Sequence, residues 1–190
     1  MSQPDIQKPI VEQITTTIKG LKDGLKTYPI RDLVKHAEKF GPYLKQQRLE
    51  TNQVRKFLDA INQIKALLAQ QDEDKSLQEE LESIQRQAEK EKEEINKDKN
   101  IAENNSNVKL QNIQKQADEK KDKLIFAKIE ADVVLLKPKL AYAAARQRSA
   151  KPLEEVISVA IDKVESTKDF ERLVQLIESI IAYHKAEGGK

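Results

Sequence analysis

A chain of 190 residues has room for one domain of ordinary size plus an accessory segment. Charged residues make up 35% and aromatics 4%, with five glycines and no tryptophan, a balance that suits long solvated helices and disfavours sheets and barrels. The absence of cysteine excludes disulfides, thiolate nucleophiles and cysteine metal sites.

The opening MSQPDIQKPIVEQ lacks a basic stretch followed by an apolar one, and the longest strongly apolar run, Val133 to Leu136, is four residues. The expectation is a soluble cytoplasmic protein with no membrane partner. The formal net charge of +2 hides an uneven distribution. Residues 71 to 124 hold 15 acidic and 11 basic side chains, whereas the rest of the chain holds 17 and 23.

Ile10, Val11, Ile14, Ile18, Leu21 and Leu25 recur at helical spacing after Pro9, and Gly20 and Gly24 weaken the end, so residues 1–28 read as a marginal helical arm. Tyr28-Pro29 breaks the pattern. Ile30, Leu33, Val34, Ala37 and Phe40 then make a short amphipathic stretch that Gly41-Pro42 is expected to stop. Thr51 is a plausible N-cap for a helix carrying Val54, Phe57, Leu58, Ile61, Ile64 and Leu68 on a core-facing stripe.

Beyond Leu68 the stripe narrows. Leu77, Leu81, Ile84, Ala88, Glu91 and Ile95 follow the alternating spacing of a coiled-coil seam. The run DKNIAENNSN, residues 98–107, clusters Asn and Ser and should stop and reverse the helix. Seam spacing resumes through Leu110, Ile113, Ala117, Lys120, Leu124, Ala127, Ala131 and Val134. Residues 71–124 are therefore expected to form a long antiparallel coiled-coil hairpin.

Pro138 should open a fresh helix ending near Arg148. Pro152 starts another, with Leu153, Val156, Ile157, Ala160, Ile161 and Val164 on one face. Phe170, Leu173, Val174, Ile177, Ile180 and Ile181 mark the last helix, expected to pack on the 153–164 helix before Gly188-Gly189. The fold class is all-α: a small helical bundle of residues 29–70 and 125–190, with the hairpin inserted.

Two basic clusters carry chemistry. Lys137, Lys139, Arg146, Arg148 and Lys151 fall within 15 residues that contain no acid and surround Tyr142. Such a set can neutralise phosphates, and the ring can stack on a base. The competing reading is a solvated helix face with Tyr142 in the core. Lys45, Arg48, Arg55 and Lys56 stand against the single acid Glu50 at the start of the Thr51 helix, and ordinary surface charge is the competing reading there. The candidate nucleic-acid-binding residues are Arg48, Arg55, Lys56, Lys137, Lys139, Tyr142, Arg146 and Arg148. His36 and His184 are the only histidines and have no HExxH spacing, and no P-loop, GxGxxG or GxSxG occurs. No enzymatic activity, metal site or cofactor is expected.

Three stretches in order, TNQVRKFLDAINQI at 51–64, LKPKLAYAAAR at 136–146 and DFERLVQLIESIIAYHK at 169–185, resemble the small subunit of the type III-A CRISPR effector, the Csm complex. The resemblance covers roughly residues 30–70 and 125–190, and the hairpin looks like an insertion between them. It implies a non-catalytic subunit that stacks as repeated copies of itself beside the CRISPR backbone and large subunits, contacting target RNA and the guide RNA–target duplex. The alternative is a coiled-coil adaptor that binds no nucleic acid.

Overall fold

A computed structural model describes residues 9–97 and 103–188, and every regular element among them is helical. In chain order these are α1 (Ile10–Lys19), α2 (Ile30–Gln46), α3 (Thr51–Ala69), α4 (Lys75–Lys97), α5 (Glu103–Ala127), α6 (Glu130–Val134), α7 (Leu136–Arg146), α8 (Lys151–Ile161) and α9 (Thr167–Ala186). The chain divides into two compact units, residues 1–65 with 130–190, and residues 66–129.

In the first unit α9 packs chiefly on α2, while α8 packs on α1 and α7. The face carrying Phe170, Leu173, Ile177 and Ile181 is buried as its spacing requires, but the main neighbour of α9 is α2 rather than α8. The stretch after Pro9 also belongs to this unit: Ile14, Ile18, Leu25 and Tyr28 are fully buried.

A buried carboxylate ties the loop before α2 to the start of α9. Ser166 caps α9, its hydroxyl accepting from the Asp169 amide at 3.1 Å. The Asp169 carboxylate accepts from the Lys26 amide at 2.7 Å, the Glu165 amide at 3.2 Å and the Ser166 hydroxyl at 2.5 Å. Gly24, with φ 84°, passes so close that a Cβ there would lie 2.5 Å from Asp169 Oδ1.

Gly41-Pro42 does not stop α2, which continues to Gln46 with Pro42 inside it. The pair is tolerated because the usual conflict between a proline ring and the preceding Cβ disappears when the preceding residue is glycine. Packing supplies the other half of the explanation. At Gly41 a Cβ would lie 2.6 Å from the His184 amide nitrogen and 2.7 Å from the Tyr183 carbonyl carbon, so the two helices touch backbone to backbone. Gly41→Ala is expected to push α2 off α9 and cost about 1–3 kcal/mol. Urea unfolding followed by tyrosine fluorescence reads this directly, since Tyr28, Tyr43, Tyr142 and Tyr183 all lie in this unit.

The second unit is a helical hairpin within one chain. Gln85 accepts from Lys121 Nζ at 2.5 Å, and Lys92 Nζ donates to Gln114, so ascending α4 means descending α5 and the pairing is antiparallel. Leu77, Ala88 and Ala117 are buried along the contact, whereas the seam positions Glu91 and Lys120 are exposed. Asp74 caps α4, accepting from the Leu77 amide at 3.2 Å, and pairs with Lys128 at 3.0 Å. Those hydrogen bonds, the one from Lys128 foremost, hold its carboxyl below the usual carboxylate range.

Two expectations about this region need correction. Of the Asn-rich stretch 98–107, residues 98–102 lie outside the described residues, but 103–107 are already helical as the first turn and a half of α5. The resumed seam also does not run on to Val134. A turn at Lys128 and Ile129 shifts the helical phase, leaving Ala131 exposed and Val134 52% exposed, while Phe126, Ile129 and Val133 are buried instead. The side chain of Thr51, the expected cap of α3, lies outside the described residues.

Candidate nucleic-acid interface

α7 places Lys139, Tyr142 and Arg146 on one face, because residues three, four and seven apart share a side of a helix. Arg146 Nη1 donates to the Tyr142 hydroxyl at 3.2 Å, and its guanidinium carbon lies 5.6 Å from the ring centroid, a cation–π contact. Tyr142 is 65% exposed, which removes the reading of this tyrosine as a core residue.

Opposite this face, α3 presents Lys56, Phe57 and Ala60, and the two helices border a groove of about 540 Å³. Leu49 lines it from the loop before α3, and Gln147, Ala150 and Leu153 from the chain leaving α7. Its wall is thus largely apolar, formed by Leu49, Phe57, Leu140 and Leu153 among others, and its charged lining is Lys56, Lys139 and Arg146 with no acid. Residues from the two sequence clusters, 83 positions apart at Lys56 and Lys139, meet here.

The structure sorts the expected cations into two groups. Lys137 is occupied by an ion pair with Asp162 at 2.6 Å, and Lys151 by one with Glu154 at 2.6 Å. Lys56, Lys139 and Arg146 form no ion pair among the described residues, and neither do the exposed Arg48, Arg55 and Arg148. Arg55 and Arg148 lie beside groove-lining residues in sequence without lining the groove themselves. Lys45 donates to the Gly188 carbonyl at 2.8 Å.

Sequence reasoning missed the residue that holds the groove's Leu49 end. His184, in the last turn of α9, is 1% exposed. Its Nε2 lies 3.0 Å from the Leu49 carbonyl, which can only accept, so Nε2 carries the proton and Nδ1 is a buried acceptor without a partner among the described residues. Burial lowers its pKa first of all, with the Lys45 charge acting in the same direction and the Leu49 hydrogen bond opposing. His36 is lowered too, mainly by burial, and its Nδ1 lies 2.5 Å from the hydroxyl of Tyr28, whose own ionisation burial pushes well above its usual range.

A histidine held below its unfolded pKa binds its proton less readily when folded. The unfolded chain therefore takes up protons first as pH falls, and stability drops below the ordinary histidine value of about 6.5. Urea midpoints should fall between about pH 7 and pH 5, and His184→Gln should flatten that part of the profile. An equally steep profile in the variant would remove His184 as the cause.

Among the described residues no His, Cys, Asp and Glu side chains gather to hold a metal, and no helix is long and apolar enough to cross a membrane. The groove's lining offers charge, a ring and apolar surface for recognition. No curated protein and no solved structure matches the chain. The family model Csm2 Type III-A matches residues 27–108 and 106–190, stretches that include the hairpin as well as most of the first unit. The three motif stretches, the all-helical fold and this match agree, and the chain belongs to the Csm2 Type III-A family, the small subunit of the type III-A CRISPR effector known as the Csm complex.

Proposed function

We propose that this chain is a non-catalytic, cytoplasmic small subunit that holds target RNA along the α3–α7 groove. Lys56, Lys139 and Arg146 neutralise phosphates, Arg55 and Arg148 extend the positive border, and Tyr142 offers a ring on which a base stacks. Lys137 is left out of this set, because its ammonium is already paired with Asp162. The observation that carries the reading is an acid-free groove with three cations that form no ion pair among the described residues, beside an exposed aromatic. A protein surface without an anionic partner normally intersperses both signs of charge, whereas a phosphate backbone calls for one sign at close spacing.

Among the groove's lining residues only Gln147 carries a side-chain amide and none carries a carboxylate, so few groups there can read base edges and binding should depend little on RNA sequence. Copies of the subunit stack along the effector beside the backbone and large subunits, facing the guide RNA–target duplex. Residues 71–124 are read as an accessory hairpin inserted into the bundle, outside the RNA path. The deciding experiment replaces the groove cations in the assembled effector and follows the salt dependence of target RNA affinity. Loss of assembly with an unchanged salt dependence would favour a coiled-coil adaptor instead.

A further inference from the structure

α2 ends in a turn that ordinarily closes on glycine. The Arg48 amide donates to the Lys45 carbonyl at 2.9 Å and the Leu49 amide to the Leu44 carbonyl at 3.1 Å, which puts Arg48 at the left-handed position of the motif, with φ 62°. A side chain there crowds the following carbonyl oxygen, a cost that glycine avoids. Elsewhere among the described residues positive φ belongs to glycine alone, at Gly24 and Gly188. Gly188 is the instructive comparison. It follows the end of α9, and a Cβ there would meet nothing within 4 Å, yet the chain uses glycine. At the matching end of α2 it uses arginine.

No described residue accounts for that arginine. Its side chain is exposed and makes no hydrogen bond or ion pair among the described residues, not even with Glu50 two positions on. Lys45, three positions back, adds like charge. What the position does provide is a fixed place: the next residue, Leu49, lines the groove, and its carbonyl is held by the buried His184.

We infer that Arg48 contacts an RNA phosphate at the Leu49 end of the groove, and that the chain keeps it in a left-handed conformation that glycine would occupy more stably. The inference rests on the RNA reading above. In the full-length chain, Arg48→Gly is expected to raise Tm by roughly 2–4 °C. In the assembled effector the same substitution should lower the slope of log affinity against log salt, for a single-stranded target RNA, by about 0.7. Arg48→Lys, which keeps both the charge and the crowding, should stay near the parent in both measurements.

A higher Tm with an unchanged slope overturns the inference, and so does a Tm that does not rise. Release of a protein subunit without a change in slope also overturns it. The variant carrying Lys56→Ala, Lys139→Ala and Arg146→Ala separates this failure from that of the broader reading. If its slope falls while that of Arg48→Gly holds, Arg48 alone is wrong; if neither falls, the RNA reading goes with it.

Discussion

Leu173→Ala should destabilise the first unit by about 2–5 kcal/mol, the range for removing a buried leucine side chain whose cavity cannot fully collapse. Leu173 is 0% exposed, and its neighbours along α9, Phe170, Leu176, Ile177 and Ile180, are all at 2% or below. With so many of its neighbours already locked in the core, little can move in to fill the space. Against a typical domain stability of roughly 5–15 kcal/mol, such a loss is large. Urea unfolding detected by tyrosine fluorescence checks it without interference from the hairpin, which holds no tyrosine. A change near zero would mean that α9 is not the core element its burial implies.

The elements legible in the sequence are those whose periodicity is long and unopposed. α8 and α9 announce themselves by continuous apolar faces, and α8 also by Pro152 in its first turn. The hairpin is legible for the same reason, since its seam residues repeat over several turns. What could not be read is whatever depends on a neighbour distant in sequence. Gly41-Pro42 looks like a helix stop because local rules make it one. Only the backbone of α9, more than 140 residues later, turns the glycine into a contact and lets α2 run on. The pairing of α9 with α2 is hidden likewise, because an apolar face shows that it is buried but not by what.

The same limit governs the groove. Each basic cluster stands out in the sequence, but their meeting depends on how α3 and α7 pack, and the apolar wall between them comes from residues that read as ordinary core. Phe57 belongs to the stripe of α3, and Leu140 to that of α7. Counting charges also cannot tell a free cation from a paired one. Lys137 and Lys139 are two positions apart in an acid-free stretch, yet Asp162 takes the first and leaves the second. Arg48 was visible as a charge, whereas its left-handed backbone was not, because arginine is a residue for which no local rule anticipates that conformation.

Replacing Arg55, Lys56, Lys139, Arg146 and Arg148 together by alanine should produce the largest functional effect. Each phosphate neutralised on a single strand contributes about 0.7 to the slope of log affinity against log salt, because binding releases its condensed counterions. Five contacts would therefore flatten the slope by up to roughly 3.5, and the three groove cations alone by roughly 2. The nested variants also test the geometry: if the groove is the path, Lys56, Lys139 and Arg146 should carry more of the loss at a given salt concentration than the two flanking arginines. Their substitution should leave the fold intact, since none makes an ion pair among the described residues and all are exposed. The measurement belongs in the assembled effector with two target strands of unrelated sequence, where each small patch would gain from its neighbours if copies stack as proposed. Tyr142→Ala adds an independent reading, because a stacked ring contributes about 1–3 kcal/mol per base without altering the salt slope. Equal losses on both strands would support recognition of the backbone. An unchanged slope in a variant that still folds and assembles would remove the groove as the RNA surface, and retained binding after deletion of residues 71–124 would remove the hairpin as its replacement.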